Sequence, residues 1–90
     1  GPPARIWEVV DYLQPSASGM RSARVLWEID CAQSLARTLI FVSYPNRMGM
    51  GEAISVDRTP GAWTRPPADS PLESVFIVTC GVEPVSGPKT

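Results

Sequence analysis

The residues best suited to covalent chemistry are two cysteines, Cys31 and Cys80, which are the only ones in the chain. Neither lies in a C-x-x-C pair, and the chain has no histidine or second cysteine pair to complete a zinc site. Three interpretations are therefore open: an intrachain disulfide, two buried thiols, or one reactive thiol. The disulfide is favoured because small exported domains commonly need a covalent staple.

The residues needed for conventional acid–base or nucleophilic catalysis are missing or poorly placed. Without histidine, the serines have no usual general base. The single lysine, Lys89, lies next to the end of the sequence. Glu28 and Asp30 share one face of a predicted strand with Arg24, which favours a solvated charge ladder over a catalytic pair. We therefore predict a protein without catalytic residues that is not an enzyme.

Cofactor, metal and nucleic-acid sites are not predicted either. The segment starting at Gly49 has glycines at positions 49 and 51, but Ile54 occupies the third glycine position of a phosphate-binding loop. Three methionines without any histidine make a poor copper site. The net charge of −1 and the scattered arginines lack the basic footprint of a nucleic-acid-binding protein.

Protein contact is the chemistry that the remaining residues favour. Arginine and methionine are enriched where proteins touch, and two places combine arginine with exposed apolar residues. The predicted contact residues are Arg47, Met48 and Met50 in one loop, and Trp63 with Arg65 in another. For Trp63 the alternative is a structural role, covering one end of the sheet.

The elements that must position these residues are four strands and one helix. Alternating apolar residues and turn signals predict strands over residues 5–13, 20–31, 36–44 and 52–58. Composition alone also allows a strand over residues 75–78, but the start and stop signals favour a helix. Ser70 is a suitable N-cap, Pro71 suits the first helical position, Glu73 completes a capping box, and Gly81 can end the helix. We expect Trp7 and Trp27 in the core, and Ile54 and Val56 facing inward.

Length and composition indicate one small domain. The chain has 90 residues, of which 43% are hydrophobic, and it contains no apolar run long enough to span a membrane. We predict a single domain over residues 4–81, with flexible termini at residues 1–3 and 82–90. The sequence carries no signal peptide, so we expect the mature part of an exported protein whose leader has been removed.

The order of these signals resembles the surface-adhesin protein E family of bacterial exported and lipid-anchored proteins. The resemblance rests on Trp7, on Trp27 followed by Ile29-Asp30-Cys31, and on a later series. That later series runs through Arg37, Tyr44, the Gly49-x-Gly51 turn, Trp63, a proline-rich stretch ending at Ser70, and Cys80. It covers residues 6–80. It implies an α+β fold, with an antiparallel sheet of about four strands packed on a C-terminal helix, and a Cys31–Cys80 disulfide.

The resemblance also implies a function outside the cytoplasm, in the periplasm or at the outer-membrane surface. The family's named member is an adhesin that binds host extracellular-matrix and serum proteins and can dimerise. Two functions are therefore open. The first is an exported, adhesin-like binding module whose partner is a host protein or a second copy of the chain. The second is a lipoprotein-like accessory subunit of an envelope secretion or assembly complex. No family contact residue is transferred, because this chain lacks a lysine-rich binding region.

Overall fold

The alternation of apolar and polar residues does produce a four-stranded antiparallel sheet. The computed structural model describes residues 3–87. Along the chain it contains β1 (Ala4–Asp11), β2 (Ser22–Asp30), β3 (Leu35–Tyr44), a 3-10 turn (Arg47–Gly49), β4 (Ser55–Asp57) and α1 (Pro71–Cys80). The spatial order is β1-β2-β3-β4, and all neighbours are antiparallel. The predicted α+β class is confirmed.

The core lies between one face of the sheet and α1. Ile29 of β2, Ala36 of β3 and Phe76 of α1 are fully buried there. Ile6, Trp27, Leu72 and Val75 pack around them. Burying a side chain such as Phe76 stabilises the fold by about 1.5–3 kcal/mol, so this small cluster is a main source of stability. Trp27 is thus in the core, as predicted.

Both ends of α1 follow the sequence signals, with one difference. The Ser70 hydroxyl accepts a hydrogen bond from the Glu73 backbone N–H at 3.4 Å, and Gly81 ends the helix at φ 78°. The reciprocal half of the predicted capping box is wrong, because Ser70 N–H donates to the Pro67 carbonyl instead. The Glu73 carboxylate is occupied elsewhere, since it accepts a hydrogen bond from the Ser86 hydroxyl.

A disulfide between Cys31 and Cys80 joins the end of β2 to the end of α1. The two Cα atoms are 5.7 Å apart and the bonded residues are separated by 49 positions. This settles the three interpretations of the cysteines in favour of the disulfide. Closing a loop of this length stabilises the folded state by about 4 kcal/mol in the chain-entropy model.

The fourth strand is shorter and more exposed than expected. It covers three residues, and Ile54 and Val56 are exposed rather than facing inward. The reason is the pairing of β4: Val56 lies opposite Val42, on the sheet face that points away from α1, so the helix does not cover it. Ile54 precedes β4, which lies at the edge of the sheet away from β1.

The last described residues lie against the body of the protein. Val85 N–H donates to the Ser34 hydroxyl at 3.0 Å, and Gly87 N–H donates to the Pro66 carbonyl at 2.8 Å. The flexibility expected for both termini stays a prediction, and residues 1, 2 and 88–90 lie outside the described residues. Along residues 3–87, no helix combines the length and apolar character that a membrane crossing requires.

Candidate protein-contact surface

The sheet face opposite α1, which we call the open face, carries an apolar strip of two neighbouring rows. Residues paired across neighbouring strands share a face, and the register places Trp7 beside Leu26 and Leu26 beside Ile40. The same face carries Val9 and, through its pairing with Val42, Val56. In this second row Arg24 lies between Val9 and Val42. Trp7 is 54% exposed, Val56 49% and Val9 43%. A solvated sheet face normally carries polar side chains, so this strip is typical of a contact surface.

The exposure of Trp7 corrects the expectation that it lies in the core. Both faces of β1 are largely apolar, so its sequence alone left the inward face ambiguous. Pairing with β2 sets Ile6 beside Trp27 on the helix side, which turns Trp7 outward. Glu8 also falls on the helix side, where its Oε1 accepts a hydrogen bond from Trp27 Nε1 at 3.0 Å. This bond satisfies a polar group that burial would otherwise penalise.

A row of charged side chains borders one end of the open face. Glu28 is only 7% exposed, and its Oε1 lies 2.8 Å from both Nε and Nη2 of Arg37. Its Oε2 lies 3.5 Å from Arg5 Nε. The Arg37 guanidinium in turn stacks over the Trp63 ring at 4.7 Å. Two guanidinium groups therefore neutralise one buried carboxylate, and an aromatic ring shields the inner one.

The predicted charge ladder is therefore built from different arginines. Arg24 was expected beside Glu28, but its guanidinium lies 5.6 Å from the centroid of the Tyr44 ring. Its Nη2 also donates to the Gly49 carbonyl at 3.4 Å. Arg5 and Arg37 occupy the positions directly opposite Glu28 in the register, which explains why they pair with it instead.

The loop with Arg47, Met48 and Met50 lies over the other end of the open face. Met48 N–H donates to Asp11 Oδ1 at 2.7 Å, and Gly49 N–H donates to the Ser22 hydroxyl at 2.8 Å. These bonds fix a turn in which Met48 has φ 60°. All three predicted contact residues of this loop are exposed. The hydrogen bonds hold the turn in place, and its methionine thioethers and the Arg47 guanidinium are therefore exposed to solvent.

The five predicted contact residues form two groups rather than one site. Thr64 exchanges backbone hydrogen bonds of 2.8 Å with Ala36, which holds Trp63 and Arg65 near the start of β3. Arg65 Nη1 donates to the Gln33 carbonyl at 3.2 Å. The loop at Arg47 follows the other end of β3, about 26 Å away at 3.3 Å per residue. The open face spans the distance between the two groups.

Sequence reasoning missed the residues between these groups. Trp7, Val9 and Val56 are apolar and exposed, but each was expected inside or left unassigned. One signal was present: Leu26 interrupts the polar face of β2 with an apolar residue. In residues 3–87, no three cysteine or carboxylate side chains come together as a metal site would require. The open face and its arginines are suited to contact with another protein.

Comparison with known proteins gives one match. The family model described as surface-adhesin protein E matches residues 1–81, which is most of the chain. No curated protein and no solved structure matches at a significant level. The matched range includes all four strands, the helix and both cysteines of the disulfide.

Proposed function

Because the chain belongs to the surface-adhesin protein E family, we propose that it is a cell-surface adhesin that binds a host extracellular protein through the open face. Membership implies an exported, non-enzymatic surface protein. The observation that carries the proposal is the exposure of Trp7, Val9 and Val56 on a face where water would favour polar side chains.

Burial of this strip supplies the driving force for association. Removing apolar surface from water is worth roughly 25 cal/mol per Å². An aromatic side chain such as Trp7 exposes far more of that surface than a surface threonine would, and tryptophan is enriched among residues that dominate binding energy. The rigid sheet holds the strip in place, so a partner orders few side chains on binding.

The charges around the strip specify the chemistry of the partner. Arg5, with a side chain 65% exposed, and Arg37 stand at one end, while the Arg24 guanidinium reaches towards Tyr44 at the other. With Arg47 and Arg65 of the two loops, five arginines surround the strip. Three carboxylates, those of Asp11, Glu28 and Asp30, oppose them, so the rim has an excess of positive charge although the whole chain carries −1. A partner with an apolar centre and carboxylates around it complements this surface.

Both predicted contact groups belong to the rim of this proposed interface. Met48 and Met50 provide adaptable thioether contacts at one end. Trp63 and Arg65 extend the surface at the other. This placement assigns the two loops a supporting role and the strip between them the main contact. A host protein can reach the strip only from outside the cell, so we place the protein at the outer-membrane surface rather than in the periplasm.

The test measures binding of the purified protein to immobilised host extracellular-matrix and serum proteins by surface plasmon resonance. Val9→Lys and Val56→Lys each put a charge into the strip and are expected to weaken binding at least tenfold. The matched control is Val82→Lys, since Val82 is 63% exposed and lies outside the open face. Circular dichroism checks that all three variants fold.

Three outcomes would overturn the proposal. Equal binding of the native protein and both strip variants would remove the open face from the interface. Binding confined to bacterial envelope proteins, with none to host proteins, would favour the accessory-subunit function instead. Self-association that is lost in both strip variants would likewise assign the open face to a homodimer rather than to a host partner.

A further inference from the structure

The outer edge of β1 is a second surface, which borders the open face at Trp7 and Val9. Among residues 3–87, β1 has a neighbouring strand on one side only. Tyr12 N–H donates to the Arg21 carbonyl at 2.9 Å, which fixes the alternation of the antiparallel ladder. Counting back along β1, the backbone groups that point away from β2 are those of Arg5, Trp7, Val9 and Asp11. Such a row of donors and acceptors is a template for another strand.

An apolar groove runs beside this edge on the helix side. Its volume is about 360 Å³, and Ile6, Glu8, Val75 and Val78 are among the residues that line it. Val78 of α1 is 77% exposed, although it lies on a helix that packs on the sheet. A strand added to β1 would place every second side chain in this groove, because successive side chains alternate between faces. Backbone pairing and apolar burial would therefore act together.

Glu8 gives the groove its charge selectivity. It contributes the carboxylate among the lining residues, and Trp27 Nε1 holds one of its oxygens at 3.0 Å. The side chain directly opposite Glu8 on an added strand would face this oriented carboxylate. A basic residue fits that position, and an acidic one is disfavoured by like-charge repulsion.

A second copy of this chain fits the edge less well. Antiparallel pairing of two β1 strands that sets Arg5 opposite Asp11 places Glu8 opposite the same carboxylate of the second copy. This is a non-hydrogen-bonded position, where facing Cα atoms are only about 4.5 Å apart and like charges destabilise pairing. Registers shifted by two residues avoid that clash, but they set Arg5 or Asp11 opposite an apolar residue.

We propose that the β1 edge and the adjoining groove bind an extended peptide segment of another protein as an additional antiparallel strand. The segment carries a basic side chain opposite Glu8 and apolar side chains two residues away on either side. The groove lies on the helix side of the sheet, although Trp7 of the open face also lines it. The added strand would therefore adjoin the open face at Trp7, but neither proposal requires the other.

The probe is a capped seven-residue peptide that alternates threonine and valine and has lysine at its centre, on the valine face. Binding is measured by nuclear magnetic resonance, together with amide hydrogen exchange of the protein. The expected result is slower exchange at the amides of Arg5, Trp7, Val9 and Asp11, which point outward. Methylating the backbone nitrogens of the two central threonines is expected to abolish binding, because those amides face β1.

Side-chain variants test the groove and its charge. Val78→Lys is expected to weaken binding about tenfold by filling the groove and repelling the lysine, while Val82→Lys serves as the matched control. Glu8→Gln keeps an acceptor for Trp27 and is expected to weaken binding about fivefold. Replacing the central lysine of the peptide by glutamate is expected to lower affinity at least tenfold.

The proposal fails if the peptide does not bind at millimolar concentration or binds equally well after backbone methylation. Protection of the four outward amides in the free protein at high concentration, lost on dilution, would show that a second copy occupies the edge. Val56→Lys is expected to leave peptide binding unchanged. An effect of that variant would mean that the two surfaces are one site.

Discussion

Replacing Arg37 by methionine tests the charged row at the end of the open face. The substitution keeps much of the apolar stem and removes the guanidinium that lies 2.8 Å from Glu28 Oε1. Glu28 is only 7% exposed and would keep Arg5 as its partner, at 3.5 Å. Because the Arg5 side chain is 65% exposed, water screens most of its attraction.

The expected cost follows from leaving a buried carboxylate without its main partner. Breaking one side of a buried ion pair typically costs 3–5 kcal/mol. The remaining contact with Arg5 favours the lower end, so we expect Arg37→Met to reduce the free energy of unfolding by about 3 kcal/mol. For a chain of this length that corresponds to a fall in Tm of roughly 15 °C. Part of the loss comes from the stacking of Arg37 on Trp63.

The assay is urea denaturation of four proteins: the native chain, Arg37→Met, Glu28→Gln and the double variant. Glu28→Gln removes the buried charge, so adding Arg37→Met to it is expected to cost only about 1 kcal/mol more. The two single effects would then be strongly non-additive. Additive effects would refute the view that Arg37 stabilises the buried Glu28 carboxylate. So would a loss of less than about 1 kcal/mol in the free energy of unfolding for Arg37→Met alone.

Three further predictions concern the disulfide, the N-cap of α1 and the turn at Gly49. Cys31→Ser is expected to lower the free energy of unfolding by about 4 kcal/mol, measured by urea denaturation, because it opens a loop of 49 positions. Ser70→Ala is expected to cost about 1 kcal/mol in the same assay through loss of the N-cap. Gly49→Ala is expected to destabilise the protein more than Gly19→Ala. Both glycines have positive φ, but only at Gly49 would a Cβ collide with the Arg24 side chain.

Each of these predictions has a result that would contradict it. Reduction of the native protein should reproduce the Cys31→Ser effect, so a large difference between the two would point to a cause other than the lost bridge. An unchanged Tm for Ser70→Ala would mean that the cap contributes nothing. Equal losses of stability for Gly49→Ala and Gly19→Ala would show that the Arg24 side chain moves away from the new Cβ at little cost.

The parts predicted correctly are those in which local signals agree with the tertiary structure. In β2 one face is almost uninterrupted in apolar residues, so its inward side could be recognised from the sequence. At α1, Ser70, Pro71 and Gly81 mark both ends with short-range chemistry that does not depend on the rest of the fold. Because Cys31 follows the end of β2 and Cys80 lies at the end of α1, correct bounds for these two elements are consistent with the disulfide between them.

The parts predicted wrongly depend on pairing between distant residues. β1 is apolar on both faces, and only its register with β2 decides that Ile6 faces the helix and Trp7 faces solvent. The inward placement of Val56 was wrong because its pairing with Val42 sets the face on which it lies, and this pairing cannot be read from the sequence of β4. The only sign of the open face in the sequence was therefore Leu26, an apolar residue among the polar residues of one face of β2.

The most direct test of the central claim is a footprint of the bound host protein on this chain by cross-saturation nuclear magnetic resonance. Saturation transferred from the partner should be strongest at the side chains of Trp7, Val9 and Val56, weaker at Met48 and Met50, and absent at Phe76 in the core. Saturation concentrated on α1, with Trp7 and Val56 unaffected, would contradict binding through the open face.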